Sequence, residues 1–399
     1  VAANADDYAH FGGSLVRYLA ENLPLAEELL CLTDCEPLAL SEIARFCPDL
    51  ERGITCDRAG YLGGALEERL RSRIAELFGS VSACDIGVEN GAGYALLRVM
   101  QALLEPGDHV VVQTPAFPPL CTIPRTLGCR VSAWRANPER GFAFDLQALE
   151  GLLGKRTRLL VITVPSNPTG YAPTREEIDA LVAIARARGL YVLCDEVYRM
   201  ATDVDAGPLS PIADVYERGV SIGGVSKVYG LPGARVGFWA SPDRALAASV
   251  ARIRGGKSDV AHNVLGATLA ESALANRPAI LERNRRIVEV NLGCFRSFLA
   301  EHREWIRCDG PMAGPVVYPR LVGLERDSNG AYAPSPYDSA TAFARVLLEA
   351  TRTLVVPGAA LDDDDVHVRI GLGRRRFPAA LERLANHLRE TARARRGAS

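Results

Sequence analysis

Lys227 lies in the run Ser226-Lys227-Val228-Tyr229-Gly230-Leu231-Pro232-Gly233-Ala234-Arg235-Val236-Gly237, and the only other lysines are Lys155 and Lys257, within a total of 46 Lys plus Arg. A guanidinium stays protonated in proteins, whereas a lysine amine can lose its proton and form a Schiff base with a carbonyl. Lys227 is therefore a candidate nucleophile, with a solvated lysine ahead of a Gly/Pro turn as the alternative. Eight residues on, Arg235 can clamp a phosphate with a fork of donors. Thirty-two residues earlier, Cys194-Asp195-Glu196-Val197-Tyr198-Arg199 places carboxylates after an apolar run, where Asp195 either serves chemistry or caps the next helix. In Val164-Pro165-Ser166-Asn167-Pro168-Thr169-Gly170, the proline pushes Asn167 out of the helical region, so its amide can face a cleft unless this is an ordinary Asn-Pro turn. Finally, Glu89-Asn90-Gly91-Ala92-Gly93-Tyr94 opens a helical stretch with small residues, and such a terminus can offer backbone N–H groups to a phosphate.

A lysine that takes an aldehyde, beside donors for a phosphate, describes pyridoxal phosphate (PLP). Asp195 would pair with the pyridine nitrogen and keep it protonated. Asn167 and Tyr198 would hydrogen-bond the phenolic oxygen, and Phe117 in Thr114-Pro115-Ala116-Phe117-Pro118 would stack on the ring. Gly91, Ala92, Gly93 and Arg235 would hold the phosphate.

These groups need strand ends to hold them. Between about residues 80 and 240, β-branched runs alternate with amphipathic stretches, the pattern of a parallel sheet covered by helices. The expected strands include Val110-Val111-Val112, Leu159 to Val164, Leu190 to Cys194 and Val236 to Trp239. Thr174-Arg175-Glu176-Glu177 has capping-box spacing ahead of a helical apolar stripe through Ile178, Leu181, Val182, Ile184 and Ala185. A long helical stretch is expected from Val264 to His302. A second sheet should come from Gly314 to Tyr318, Thr353 to Val356 and Val366 to Ile370, closed by a helix near Pro378 to Arg393. The predicted division is a large domain over 48–272 and a small domain from 1–47 with 273–399.

Composition fits a globular small-molecule protein. Net charge is −2, which argues against the electrostatic footprint of a nucleic-acid binder, and an apolar fraction of 48% with 24% charged residues supports a sizeable core. Ten cysteines without Cys-x-x-Cys pairing read as reduced thiols of a cytoplasmic protein. The first residues carry no signal-peptide pattern, and no apolar run reaches membrane-spanning length, so no membrane partner is expected.

In order and spacing, Ser-Asn-Pro-Thr-Gly, Asp-Glu-Val-Tyr and Ser-Lys-x-x-Gly-Leu-Pro-Gly-x-Arg-x-Gly resemble the signature pieces of the PLP-dependent fold-type I aminotransferases, class I/II, over roughly Leu32 to Leu388. The resemblance implies an α/β fold with a mostly parallel, seven-stranded-type sheet in the large domain. It also implies a homodimer with the active site at the interface. It makes Lys227 the cofactor-linked lysine, Asp195 the pyridinium partner and Arg235 the phosphate arginine. Arg369 in Val368-Arg369-Ile370-Gly371 matches the arginine that grips a substrate α-carboxylate. Three departures stand out. Gly224 replaces a common phosphate-binding Ser or Thr, for which Ser226 can compensate. Asp34-Cys35-Glu36-Pro37 replaces Gly-Glu-Pro, so Cys35 stands for a glycine near the substrate, and Asp34 and Glu36 either read a cationic substrate or serve capping and solvent exposure. Tyr61 is the candidate for the tyrosine lent by a partner subunit. The run Asp362 to Asp365 reads as a solvated acidic loop, with no metal expected.

The implied reaction is attack by an amino acid through an external aldimine, with Lys227 abstracting the α-proton, and most simply transamination to a keto acid. Elimination, replacement or cyclisation at Cβ or Cγ, as in lyases, aminocyclopropanecarboxylate synthases and arginine-cyclising enzymes, is the alternative. A non-catalytic relative of the same fold is a more distant one.

Overall fold

The computed structural model describes residues 14–50, 64–201, 209–256, 263–310, 312–324 and 336–398. A short strand, Glu28–Leu29 (β1), precedes a seven-stranded sheet built from Ile86–Glu89 (β2), His109–Thr114 (β3), Arg130–Arg135 (β4), Thr157–Thr163 (β5), Tyr191–Asp195 (β6), Gly219–Gly224 (β7) and Gly237–Ala240 (β8). Its order is β2-β8-β7-β6-β5-β3-β4, and β8 runs antiparallel to both neighbours while the other pairings are parallel.

The strands read as continuous apolar runs because both faces are covered. Val111, Leu160, Ile162 and Val192 face one side, where Leu181, Val182 and Ala185 of the helix Arg175–Arg188 pack. Their neighbours Val110, Val112, Leu159, Val161 and Leu193 face the other, against Ala95, Leu96, Val99 and Met100 of the helix Ala92–Leu103. Each such fully buried Val, Leu or Ile contributes about 1.5–3 kcal/mol. The expected capping box is present: Thr174 Oγ1 accepts from Glu177 N at 3.2 Å, and Thr174 N donates to the Glu177 carboxylate at 2.7 Å. At the other end Gly189 takes a left-handed conformation (φ 64°) and stops the helix.

Register places the chemistry. Thr163 pairs with Asp195, Asp195 with Ile222, and Gly224 with Gly237. The segments after β5, β6 and β7, which carry Asn167, Tyr198 and Lys227, therefore leave the sheet at one edge, as ligand-binding loops of open α/β sheets do.

Beyond it lie Ile306–Arg307 (β9), Val316–Val317 (β10), Arg320–Leu321 (β11), Thr353–Leu354 (β12), Val356–Pro357 (β13) and Val368–Gly371 (β14). The strands β10, β14 and β13 form an antiparallel sheet, and a core of Val317, Ile370, Phe295, Phe343 and Leu384 also takes in Leu30 and Cys35. The expectation for residues 353–356 is corrected in one respect: Thr353–Leu354 pairs with β1, and only Val356 onward joins β14. The long helical stretch is two helices, Val264–Ala275 and Arg277–Glu301, broken at Asn276 with a proline in the first turn of the second.

Candidate functional site

Arg369, Asn167, Asp195, Tyr198, Lys227, Ser226, Arg235, Ala92, Gly93, Phe117 and Asp34 line one cavity of about 410 Å³. Residues drawn from seven separate stretches of sequence thus meet at the edge that the sheet register defines. At one end, Gly91 (φ 96°) opens the helix Ala92–Leu103, and a Cβ there would fall 2.5 Å from Arg235 Nη2. A Cβ on Gly237 would fall 2.2 Å from Ala92 N, so β8 lies directly beneath the same turn. Glycine at both positions lets the guanidinium approach the first N–H groups of that helix, a donor set suited to a phosphate. Gly224 has a similar cause: a Cβ would lie 3.1 Å from Val236 O, which leaves little room for the Ser or Thr expected there.

Asp195 closes the floor. It is buried, its carboxylate accepts one hydrogen bond among the described residues, a long one from Val197 N at 3.3 Å, and burial pushes that carboxyl up to about 6, against the opposing pull of that N–H and of Lys227. A carboxylate so poorly supplied with donors suits a cationic N–H partner. In cofactor-free protein the native carboxyl binds its proton more tightly than the unfolded one (about 3.9), so its contribution to stability is fully present below about pH 4 and is lost as pH rises to about 6. Above that the cost is about 3 kcal/mol. Asp195→Asn is therefore expected to raise the melting temperature of the cofactor-free protein at pH 7.5, with the gain vanishing near pH 4. Equal melting of the two proteins at both pH values would refute this account.

Arg369 is the other buried charge. It is 3% exposed, no carboxylate among the described residues pairs with it, and its Nε has no partner. Nη2 donates to Cys31 O at 3.0 Å and Nη1 to Asn167 Oδ1 at 3.4 Å. Burial lowers its proton affinity. Opposite, Lys227 Nζ donates to Thr33 Oγ1 at 2.9 Å.

Two expected site residues are not brought to the cavity. Cys35 is buried in the core with Leu30, Phe295 and Ile370, and burial pushes its thiol up to about 12. The Glu36 carboxylate accepts from Arg375 N at 3.0 Å, ahead of the helix Phe377–Ala398. Asp34 does reach the wall, but it is paired with Arg374 at 2.7 Å. Of the two readings the sequence offers for Asp34 and Glu36, a cationic-substrate reader or capping and solvent exposure, the contact of Glu36 ahead of the helix fits capping, and this stretch runs tightly along the chain beyond β14, where a Cβ on Gly373 would fall 2.6 Å from Asp34 O. Tyr61 lies outside the described residues. The aspartate run is not simply solvated either: Asp362 accepts from Ser14, Asp363 from Tyr318, Asp364 bonds His367, and Asp365 accepts from Thr341. Sequence reasoning missed Thr33 and Cys31, for which no motif spacing gave a signal.

The pattern described as aminotransferase class I and II matches residues 32–388. The chain belongs to that family. It is a PLP-dependent enzyme with the family's fold, and the family's cofactor fits what this cavity offers: a donor set for a phosphate, a carboxylate short of donors and a lysine between them. Aspartate aminotransferase of Thermotoga maritima is 32% identical over 57% of this chain, and the match spans 62% of that protein, less than two thirds of it. Capreomycidine synthase of Streptomyces vinaceus is 30% identical over 81% of this chain and 80% of its own length. Among solved structures, the PLP-dependent cyclase OrfR superposes with a TM-score of 0.81 at 28% identity, covering 95% of this chain and 97% of that one. No helix among the described residues is long and apolar enough to cross a membrane, and the described cysteines are free thiols.

Proposed function

We propose that this protein is an aminotransferase that binds an α-amino acid by its carboxylate at Arg369 and moves its α-proton with Lys227. The observation that carries the reading is the buried guanidinium of Arg369, which has no counter-ion among the described residues and opens on the cavity that holds Lys227. In this reading Lys227 links the cofactor, Asp195 faces its ring nitrogen, Asn167 and Tyr198 its phenolic oxygen, and Phe117 its face. Gly91, Ala92, Gly93, Ser226 and Arg235 hold its phosphate. When bound, the cofactor supplies the electron sink that makes the α-proton acidic. The arginine fork and Asn167 fix the carboxylate, so the Cα–H bond can be held in one orientation. The Lys227 amine takes the proton at Nζ and hands it on to a second carbon.

The alternative is elimination, replacement or cyclisation. It is favoured by the likeness to a synthase over 81% of this chain and to a cyclase over 95% of it; in this reading the same proton removal would precede chemistry at Cβ or Cγ. It draws little support from Asp34 and Glu36, since an arginine and a backbone N–H already occupy them. The division into 48–272 and the two termini, and a homodimer completing the site, belong to the same proposal.

The reactions separate in one experiment. The loaded protein is incubated with a panel of amino acids, arginine derivatives and S-adenosylmethionine included, without a keto-acid acceptor. One equivalent of keto acid, with conversion of bound cofactor to its amine form, is expected. Many turnovers with the resting spectrum unchanged would instead establish elimination or cyclisation.

A further inference from the structure

Thr33 is absent from the expected site residues, yet it is the side chain to which Lys227 Nζ is hydrogen-bonded, at 2.9 Å. It is buried and lines the same cavity. Two residues on, Cys35 N donates to Lys227 O at 3.1 Å, so the lysine is tied to this segment at its main chain and at its tip. The segment itself is pinned from behind. Gly371 N donates to Leu30 O at 2.7 Å and Glu36 N to Gly373 O at 2.7 Å. A Cβ on Gly371 would sit 1.6 Å from Leu32 O, so backbone meets backbone there without a side chain between. The same segment offers Cys31 O to Arg369. One extended piece of chain thus holds the guanidinium by a carbonyl and the amine by a hydroxyl.

We propose that Thr33 is a positioning residue that fixes the Lys227 amine in the orientation from which it exchanges a proton with the substrate Cα, an inference that rests on the reading of Lys227 as the proton-moving group. A lysine amine rides on a flexible four-carbon stem with three rotatable donors. A neutral amine that donates one N–H to Thr33 Oγ1 keeps its lone pair free for the Cα proton and loses most of its freedom to turn. A hydroxyl is needed for this, because a hydrocarbon of the same shape accepts nothing. The main-chain bond from Cys35 N fixes where the stem starts, and the hydroxyl fixes where it ends. Misplacement of a reacting group by a fraction of an ångström costs rate rather than binding.

Thr33→Val keeps the shape and removes the acceptor, and Thr33→Ser restores it. In the cofactor-loaded protein the valine variant is expected to exchange the substrate α-proton with solvent about tenfold more slowly, with little change in KM. Its Cα-deuterium isotope effect on kcat should rise, and serine should return both towards the parent. A second readout needs no turnover. In cofactor-free protein, acylation of Lys227 relative to exposed Lys155, followed by peptide mass spectrometry, should increase in the valine variant and fall back in the serine variant. Parent-like exchange in Thr33→Val overturns the inference, whatever the labelling ratio shows. If Lys227→Ala abolishes exchange while Thr33→Val leaves it intact, this inference alone fails. Parent-like exchange in Lys227→Ala overturns the reading beneath it, and this inference with it.

Discussion

Lys227→Ala is expected to lower turnover on any accepted amino acid by about 10²–10⁴-fold, the range a positioned general base contributes. Lys227→Arg should fare no better despite keeping the charge, since a guanidinium cannot shed its proton to become a base or a carbonyl nucleophile. The fold should survive both changes. The contact that docks this segment, Cys35 N to Lys227 O, is main chain, and Asn284 Nδ2 secures the next residue through Val228 O at 2.8 Å. Borohydride treatment of the loaded parent should fix the cofactor's mass to the peptide containing residue 227, and to no peptide of either variant. Rate loss together with an unchanged melting profile identifies a chemical role. Turnover at the parent level in Lys227→Ala would remove Lys227 from the mechanism.

How much of this was legible beforehand depended on the range of the interaction. The strands Val110-Val111-Val112 and Leu159 to Val164 were readable, the second to within one residue of its observed end at Thr163, because burial on both faces of a parallel strand demands an unbroken apolar run, a property of adjacent residues. The capping box at Thr174 is equally local, and the structure forms it. The grouping of Asn167, Asp195 and Lys227 could be inferred from their placement after successive strands, because parallel strands deliver their carboxyl ends to the same edge. The meaning of Asp34-Cys35-Glu36 could not be read that way. Its acids are occupied by Arg374 and by Arg375 N, more than three hundred residues away, and its thiol faces a core contributed by the C-terminal half. Nothing local to Asp34 announces Arg374. Thr33 stayed invisible for the same reason: its partner is 194 residues distant, and a threonine beside an aspartate has no spacing that signals a contact with lysine. The departure at Gly224 was visible as a missing hydroxyl, but its cause, the approach of Val236 O, belongs to the pairing of β7 with β8.

The second large effect is expected at Arg369, where binding and stability should move in opposite directions. Among the described residues, this buried guanidinium has two neutral acceptors and an unpartnered Nε, so it has lost its hydration without gaining a counter-ion there. Arg369→Met fills similar space without that charge, so the substrate-free variant should melt no lower than the parent, and higher if the desolvation cost dominates. Function should pay for it: losing one partner of a buried charged hydrogen bond costs about 2–5 kcal/mol, or roughly 30-fold to several thousand-fold in kcat/KM. Arg369→Lys keeps a charge but not the planar fork, so it should recover only part of the loss. The decisive comparison pairs each amino acid with the amine that lacks its carboxylate. The parent should strongly prefer the carboxylated compound in equilibrium binding, and the methionine variant should bind the two almost alike. A variant that kept the parent's full preference would place the carboxylate elsewhere in the cavity, leaving the buried charge of Arg369 without a ligand to balance it.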